Sequence, residues 1–405
     1  MRHGPFHLTY CLNIHPGESW AENFAAIRDH ALAVRHRVAP GARFGLGLRL
    51  SGQAAAELAG DRRALAEFKR FLRREKLYVF TVNAFPFGRF HGGPVKEQVY
   101  APDWRTPQRL GYTLRVAELL AHLLPRGVTG SISTVPGSWR GWGDGPEAWA
   151  DILLNLAKAV LGLAALRERT GKAIVLALEP EPDCLLARTA DLLRLWRLLR
   201  GPGVVPRLAR ARGVRTAALR RAFARHLGVC LDTCHFAVEF ENPATALAAL
   251  RAARIPVAKI QVSAAPLLRA TGTAAADAAG LDAAAALAEP VYLHQTRLRL
   301  TDGSVAAFPD LAPALAAARA GGWRELRTHF HIPLGLESWG ALGSTRAELD
   351  AAFFQLLAAG AAPQVELETY SFQALPAELR HEGVEASLAA EFRWFLERLA
   401  AAAGP

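Results

Sequence analysis

Short apolar runs alternate with helical segments along almost the whole chain, and few architectures accommodate that pattern. The runs fall at residues 7–13, 44–50, 78–82, 130–135, 173–178, 227–231, 257–262 and 364–369. Each reads as a strand; the run 227–231 is continuously apolar, as suits a strand buried on both faces, and 44–50 alternates glycine with leucine. Segments with helical spacing separate them at 18–38, 53–76, 108–124, 146–169, 187–199, 243–253 and 346–358, and a last one closes the chain at 385–401. Strand–helix alternation predicts parallel β/α units, and eight such strands close a barrel. The expected fold class is therefore α/β, a (β/α)8 TIM barrel.

No linker divides the 405 residues, so the sequence reads as one domain, 1–405, with two insertions. A basic helical one at about 201–225 precedes strand six. A second, at about 264–325, follows strand seven and carries a hairpin, 291–300 with 304–308, joined by an Asp-Gly turn at Asp302 and Gly303. The extended stretch 326–333 belongs to the same excursion.

Composition narrows the function classes. With 51% hydrophobic and 21% charged residues, the chain can bury a large core. No apolar run long enough to span a bilayer stands out, and the first ten residues lack the apolar core of a signal peptide, so a cytoplasmic protein without a membrane span is expected. The net charge of +11 is nearly all arginine, with little lysine and a single methionine. It reads as compositional bias on solvated helices. A nucleic-acid partner is not expected, because the basic stretch 207–225 holds only one aromatic, Phe223. Four cysteines, Cys11, Cys184, Cys230 and Cys234, fit neither paired metal spacing nor a disulfide framework and read as buried thiols.

The stretch 228–235, GVCLDTCH, points to chemistry. An apolar strand ends abruptly in Asp232, and His235 follows about one turn later; the plainer reading makes Asp232 or Thr233 a helix N-cap. In a barrel the strand ends converge at one mouth. Reading those ends in order gives His15 and Glu18, Asn83, Glu179 and Glu181, Asp232 and His235, Gln261, His329 and His331, then Glu366 and Glu368. Carboxylates and imidazoles from separate strands suit a divalent metal. His329 and His331 are two apart, so in extended chain both imidazoles point the same way. Pro180 and Pro182 fix the turn that carries Glu179 and Glu181.

These strand ends resemble those of the xylose-isomerase-like barrels, a superfamily of sugar isomerases, epimerases and endonuclease IV. Residues 231–235 are similar to a motif in which Asp and His both bind metal, and residues 178–179 and 367–369 resemble its glutamate-bearing strand ends. The resemblance implies metal ligands at Glu179, Asp232, His235, His329, His331 and Glu368. Gln261 stands where a histidine is common, and His329 where an aspartate is, so it implies one or two ions (zinc, manganese, cobalt or magnesium), not three. The stretches 9–18, 83–88, 99–104 and 328–333 more closely resemble the EboE-type metabolite-traffic proteins, whose family description names a pathway but no reaction.

The resulting expectation is a metal-dependent isomerase or epimerase acting on a sugar, polyol or cyclitol-like metabolite. Glu179 and Glu368 would serve as ligand-bases, with Glu181 or His235 as alternatives. His15, Asn83, Phe85, Trp104, Arg105 and Trp139 would contact the small molecule, with Phe87 and Trp142 extending the apolar wall and Arg105 or Arg140 meeting any anionic group. The competing readings are a non-catalytic carrier and a metal-dependent phosphodiesterase. Self-association through the outer helices is left open.

Overall fold

In the computed structural model, which describes residues 1–380 and 382–403, eight parallel strands form the frame. They are β1 (Phe6–Tyr10), β2 (Phe44–Arg49), β3 (Leu77–Asn83), β4 (Gly130–Thr134), β5 (Ile174–Leu178), β6 (Leu227–Asp232), β7 (Val257–Val262) and β8 (Gln364–Leu367). Their hydrogen-bonded order runs from β1 through β8, β7, β6, β5, β4 and β3 to β2. A parallel bridge between Cys11 and Gly47 closes the ring, beside a 2.7 Å hydrogen bond from Thr9 Oγ1 to the Gly45 carbonyl. The result is a (β/α)8 barrel.

Two predicted helices are interrupted. Residues 53–76 divide at Asp61, which is extended and caps the second half by accepting from the Arg63 and Ala64 amides. Residues 20–38 contain a π segment at Ile27–Ala31. The helix Pro146–Thr170 corrects a reading from composition: it is long and apolar enough to cross a membrane by those criteria. Its apolar residues Ile152, Leu156, Val160 and Leu163 are buried within the protein, as a barrel's outer helices require.

After β7 the chain leaves the barrel and builds a second, antiparallel sheet. Its strands are ordered Val305–Phe308, Thr296–Leu300, Trp323–Thr328, Pro266–Arg269, Leu342–Ser344 and Ser338–Trp339. The hairpin is present in register, Arg299 opposite Val305, and the excursion runs on to Ser344. Charged contacts hold this sheet to the barrel. Arg297 pairs with Glu239 and Asp183, each at 2.6 Å, and the Arg327 guanidinium lies 4.3 Å from the Phe240 ring centre. That attachment delivers the end of Trp323–Thr328, and the histidines after it, to the barrel mouth.

The barrel interior is unusually polar. Lys259 on β7 and Glu366 on β8 form a wholly buried ion pair. Lys259 Nζ also donates to Thr81 Oγ1 at 3.2 Å and Ser133 Oγ at 3.3 Å. Glycine is required opposite: a Cβ at Gly47 would fall 1.7 Å from Glu366 Oε1. Glu366 raises the ammonium's pKa against the opposing effect of burial, which is the larger single influence.

Candidate metal centre

Three carboxylates from three strand ends meet just above that ion pair. Glu179 follows β5, Asp232 ends β6 and Glu368 follows β8. One oxygen of each lies within 4.8 Å of the others, and all three residues are buried. Asp232 satisfies both sequence readings at once. Its Oδ1 caps the short helix Thr233–Val238, accepting from the Cys234 amide at 2.8 Å and the His235 amide at 3.2 Å, and also takes the Ser263 hydroxyl at 2.6 Å. Its Oδ2 is left without a hydrogen-bond partner.

The histidines are oriented by backbone carbonyls. His331 Nδ1 donates to the Glu368 carbonyl at 3.0 Å, and His235 Nδ1 to the Pro180 carbonyl at 2.8 Å. A carbonyl can only accept, so when neutral each ring presents Nε2 as a free lone pair. His331 Nε2 has no partner. Its ring is grouped with Asp232 and His235, and burial lowers its pKa to about 4. His329 is held differently. Its Nδ1 lies 2.7 Å from Gln295 Oε1, its Nε2 lies 3.3 Å from the Tyr370 hydroxyl, and burial pushes its pKa well down. It forms a neighbouring cluster with Glu181 and His235.

The electrostatics follow from burial without compensation. Desolvation, then Glu368, then Asp232 raise the Glu179 carboxyl well above its usual range. Glu368 is pushed up to about 7 by burial first and by Asp232 second. Burial also raises Asp232 and Glu181. Three carboxylates this close cannot all stay ionised in a dry site without a cation.

The donor set fits a divalent ion. Glu179 Oε2, Asp232 Oδ2 and His331 Nε2 are all buried and unpartnered, and they are the oxygen and imidazole types such ions take. Gln261 is adjacent to Asp232 in register. Its Oε1 accepts from Cys230 Sγ while Nε2 is buried and unpartnered. Turning the amide over exchanges the two atoms, making Cys230 Sγ the acceptor and freeing the oxygen.

A cavity opens over this floor. Asn13, Asn83, Glu179, Glu181, His235, His329 and Glu368 supply its polar base. Phe85, Phe90, Val95, Val99, Tyr292 and Tyr370 supply its walls. Of the expected contact residues, Asn83 and Phe85 line it, and four stand outside the wall. His15 turns away because the chain after β1 enters the 3-10 turn Leu12–Ile14. Its Nε2 meets the Tyr10 hydroxyl at 2.9 Å, its ring stacks on His30, and Asn13 takes the inward position instead. Trp104 is wholly buried, with Nε1 donating to Thr134 Oγ1 at 3.2 Å. Arg105 is engaged by Asp103 at 2.7 Å. Trp139 is not among the cavity's lining residues; its ring lies parallel to that of Tyr100, 6.5 Å between centres.

Several site residues escaped the sequence reading. Asn13 Nδ2 donates to Glu368 Oε1 at 2.6 Å. Tyr100 donates to Glu181 Oε1 at 2.6 Å, and Gln295 links Glu181 to His329. Asn13 and Tyr100 lie in stretches that carried the family resemblance. Gln295 and Tyr370 had no local signal. All four cysteines are buried and free, as expected.

No family model and no curated protein matches the sequence. Solved structures similar to this chain include a D-tagatose 3-epimerase-like protein, at a TM-score of 0.48 and 12% identity over 98% of this chain and 99% of that one. Another is a xylose isomerase-like TIM barrel protein from Mycobacterium smegmatis in complex with magnesium, at 0.47 and 12%, covering 99% and 98%. A third is an AP endonuclease, family 2, from Brucella melitensis, at 0.35 and 12%, covering 64% and 79%. All fall below a TM-score of 0.5, so only this chain's own residues bear on its chemistry.

Proposed function

We propose that the protein is a metal-dependent isomerase or epimerase of an uncharged, hydroxylated carbonyl compound such as a ketose or cyclitol-like ketone. The observation that carries this reading is the set of unpartnered buried atoms, Glu179 Oε2, Asp232 Oδ2 and His331 Nε2, clustered with Glu368 and His235, of which Glu179, Glu368 and His235 line the cavity. With Glu368, and with Gln261 after its amide turns, they would hold one divalent ion. Glu181, His235 and His329 would hold a second if two are bound. When bound, such a cation would polarise a carbonyl and its neighbouring hydroxyl.

The remaining steps belong to side chains. Glu368, its Oε1 fixed by Asn13 at 2.6 Å and Asn83 at 3.4 Å, would take a proton from the carbon next to the carbonyl. Glu179 would return one, either at the opposite face or at the neighbouring carbon. The apolar wall of Phe85, Phe90, Tyr292 and Tyr370 would exclude water from the intermediate. The charge pattern favours an uncharged substrate over a phosphodiester: among the described residues the one lysine or arginine lining the cavity, Lys96, is paired with Asp310 at 2.8 Å. Cytoplasmic EboE-type membership is part of the proposal, supported by residues 9–18, 83–88, 99–104 and 328–333.

The test is exchange of the α-proton for deuterium in D2O, followed by NMR, on manganese-loaded protein with D-fructose, D-tagatose and inosose probes. Exchange with at least one probe, slowed at least about 100-fold by Glu368→Gln with binding retained, is the expected result. Binding without exchange would make the protein a carrier and overturn the catalytic reading.

A further inference from the structure

The net charge of the chain is concentrated on one face. Between residues 189 and 226 there are ten arginines and a single acidic residue, Asp191, a local charge of +9. The whole chain has 48 basic and 37 acidic side chains, so everything outside this segment has 38 and 36, close to balance. Compositional bias would spread the excess; here three consecutive helices, Thr189–Arg200, Val204–Ala211 and Thr216–His226, carry it.

All ten arginines are exposed. Among the described residues none meets a carboxylate, whereas many arginines elsewhere do: Arg49, Arg105, Arg297 and Arg327 are all paired. Arg200 and Arg220 donate only to backbone carbonyls, of Ala253, Arg254 and Gly201. Arg200 and the helix Thr216–His226 place their part of the patch toward the end of the barrel away from the cavity. Arg200 reaches the turn that precedes β7, and the helix bearing Arg220, Arg221 and Arg225 runs directly into the start of β6.

What such a face can recognise follows from what it contains. The segment has no Asn, Gln, Ser, Lys or Tyr, and its two aromatics, Trp196 and Phe223, are buried. It therefore has no exposed aromatic side chain to stack on bases and no amide to read adenine. It offers dense positive charge and one protruding apolar group: Leu198, 44% exposed, one turn from Arg194 and next to Arg197. Positive charge interleaved with a projecting leucine matches the interface of an anionic bilayer, where arginines meet phosphates and an apolar tip enters the acyl boundary.

We propose that the helices spanning 189–226 form a docking surface for an anionic phospholipid bilayer, holding the barrel peripherally with its cavity mouth directed away from the membrane. The attraction is screened by salt because the charges are exposed. It is independent of the metal centre, which lies at the other end of the strands.

The test is co-sedimentation of the full chain with vesicles of phosphatidylcholine alone or containing 30 mol% phosphatidylglycerol (roughly the anionic content at which polybasic segments bind). Binding to the anionic vesicles only, falling steeply with added salt, is expected. The variant R207E/R210E/R215E/R221E should bind at least ~100-fold more weakly, while its thermal unfolding and its uptake of manganese match the wild type. Equal sedimentation with neutral vesicles, unchanged binding by the variant, no binding at low salt, or tighter binding to duplex DNA at matched phosphate would each overturn the proposal.

Discussion

Two groups of buried carboxylates lie one above the other in this barrel and meet opposite fates. Glu366 and Glu368 are two residues apart on the last strand, so both point inward. Glu366 is neutralised from within the chain by Lys259, itself held by Thr81 and Ser133. One level up, Glu368 faces Glu179 and Asp232 with no lysine or arginine in the cluster, and the acids raise one another's pKa. The lower layer is complete as folded. The upper layer is complete only with a cation from solution.

The largest expected effect breaks the lower layer. Lys259→Met leaves Glu366 uncompensated and should cost about 3–5 kcal/mol in urea unfolding, most of it restored by adding Glu366→Gln. A loss below about 1 kcal/mol would show that Lys259 does not neutralise that layer. The next effect sharpens the upper layer. A divalent cation at a hundred times its dissociation constant should raise wild-type stability by about 2.7 kcal/mol, and Glu179→Gln should abolish most of that gain. In chelator the same variant should be no less stable than the wild type, because it removes a like-charge contact.

A third effect is in pH. In the metal-free protein Glu368 and Glu391 both hold their protons to about 7, above their usual value of 4.5. Folded protein then binds more protons than unfolded protein between those limits. Stability should be highest below about pH 4.5 with respect to these groups, and should fall through the window to about pH 7 by up to ~1.4 kcal/mol per pH unit for each. Glu391 is outside the cluster, hydrogen-bonded by Thr369 at 2.8 Å. Glu391→Gln should therefore flatten the slope in chelator and leave metal uptake unchanged; a slope unaffected by either Glu391→Gln or Glu368→Gln would contradict the assignment.

Much of this was legible in the sequence because it is written locally. A buried strand shows as an apolar run, and a strand end shows as the polar residue that stops it, which is how Glu179, Asp232 and Glu368 could be read before the fold. Spacing alone placed His329 and His331 on one side, and the structure brings both rings beside His235. What failed was anything set by a distant partner. Trp104 was chosen for residue type, but Thr134, on β4, holds it elsewhere. Lys259 reads as one more residue of an apolar strand until Glu366 is opposite it. Gln295 joins the site only because the second sheet folds back over the mouth. The arginines of 189–226 looked like composition until the structure showed all ten exposed and, among the described residues, none against a carboxylate.

The most direct measurement of the central claim is elemental analysis for divalent metals on protein purified without chelators, for the wild type and for Asp232→Ala/His331→Ala. The account predicts about one or two equivalents in the wild type and a loss of metal in the double variant that still folds. No metal in the wild type before or after titration with zinc, manganese, cobalt and magnesium, or full retention in the double variant, would contradict it.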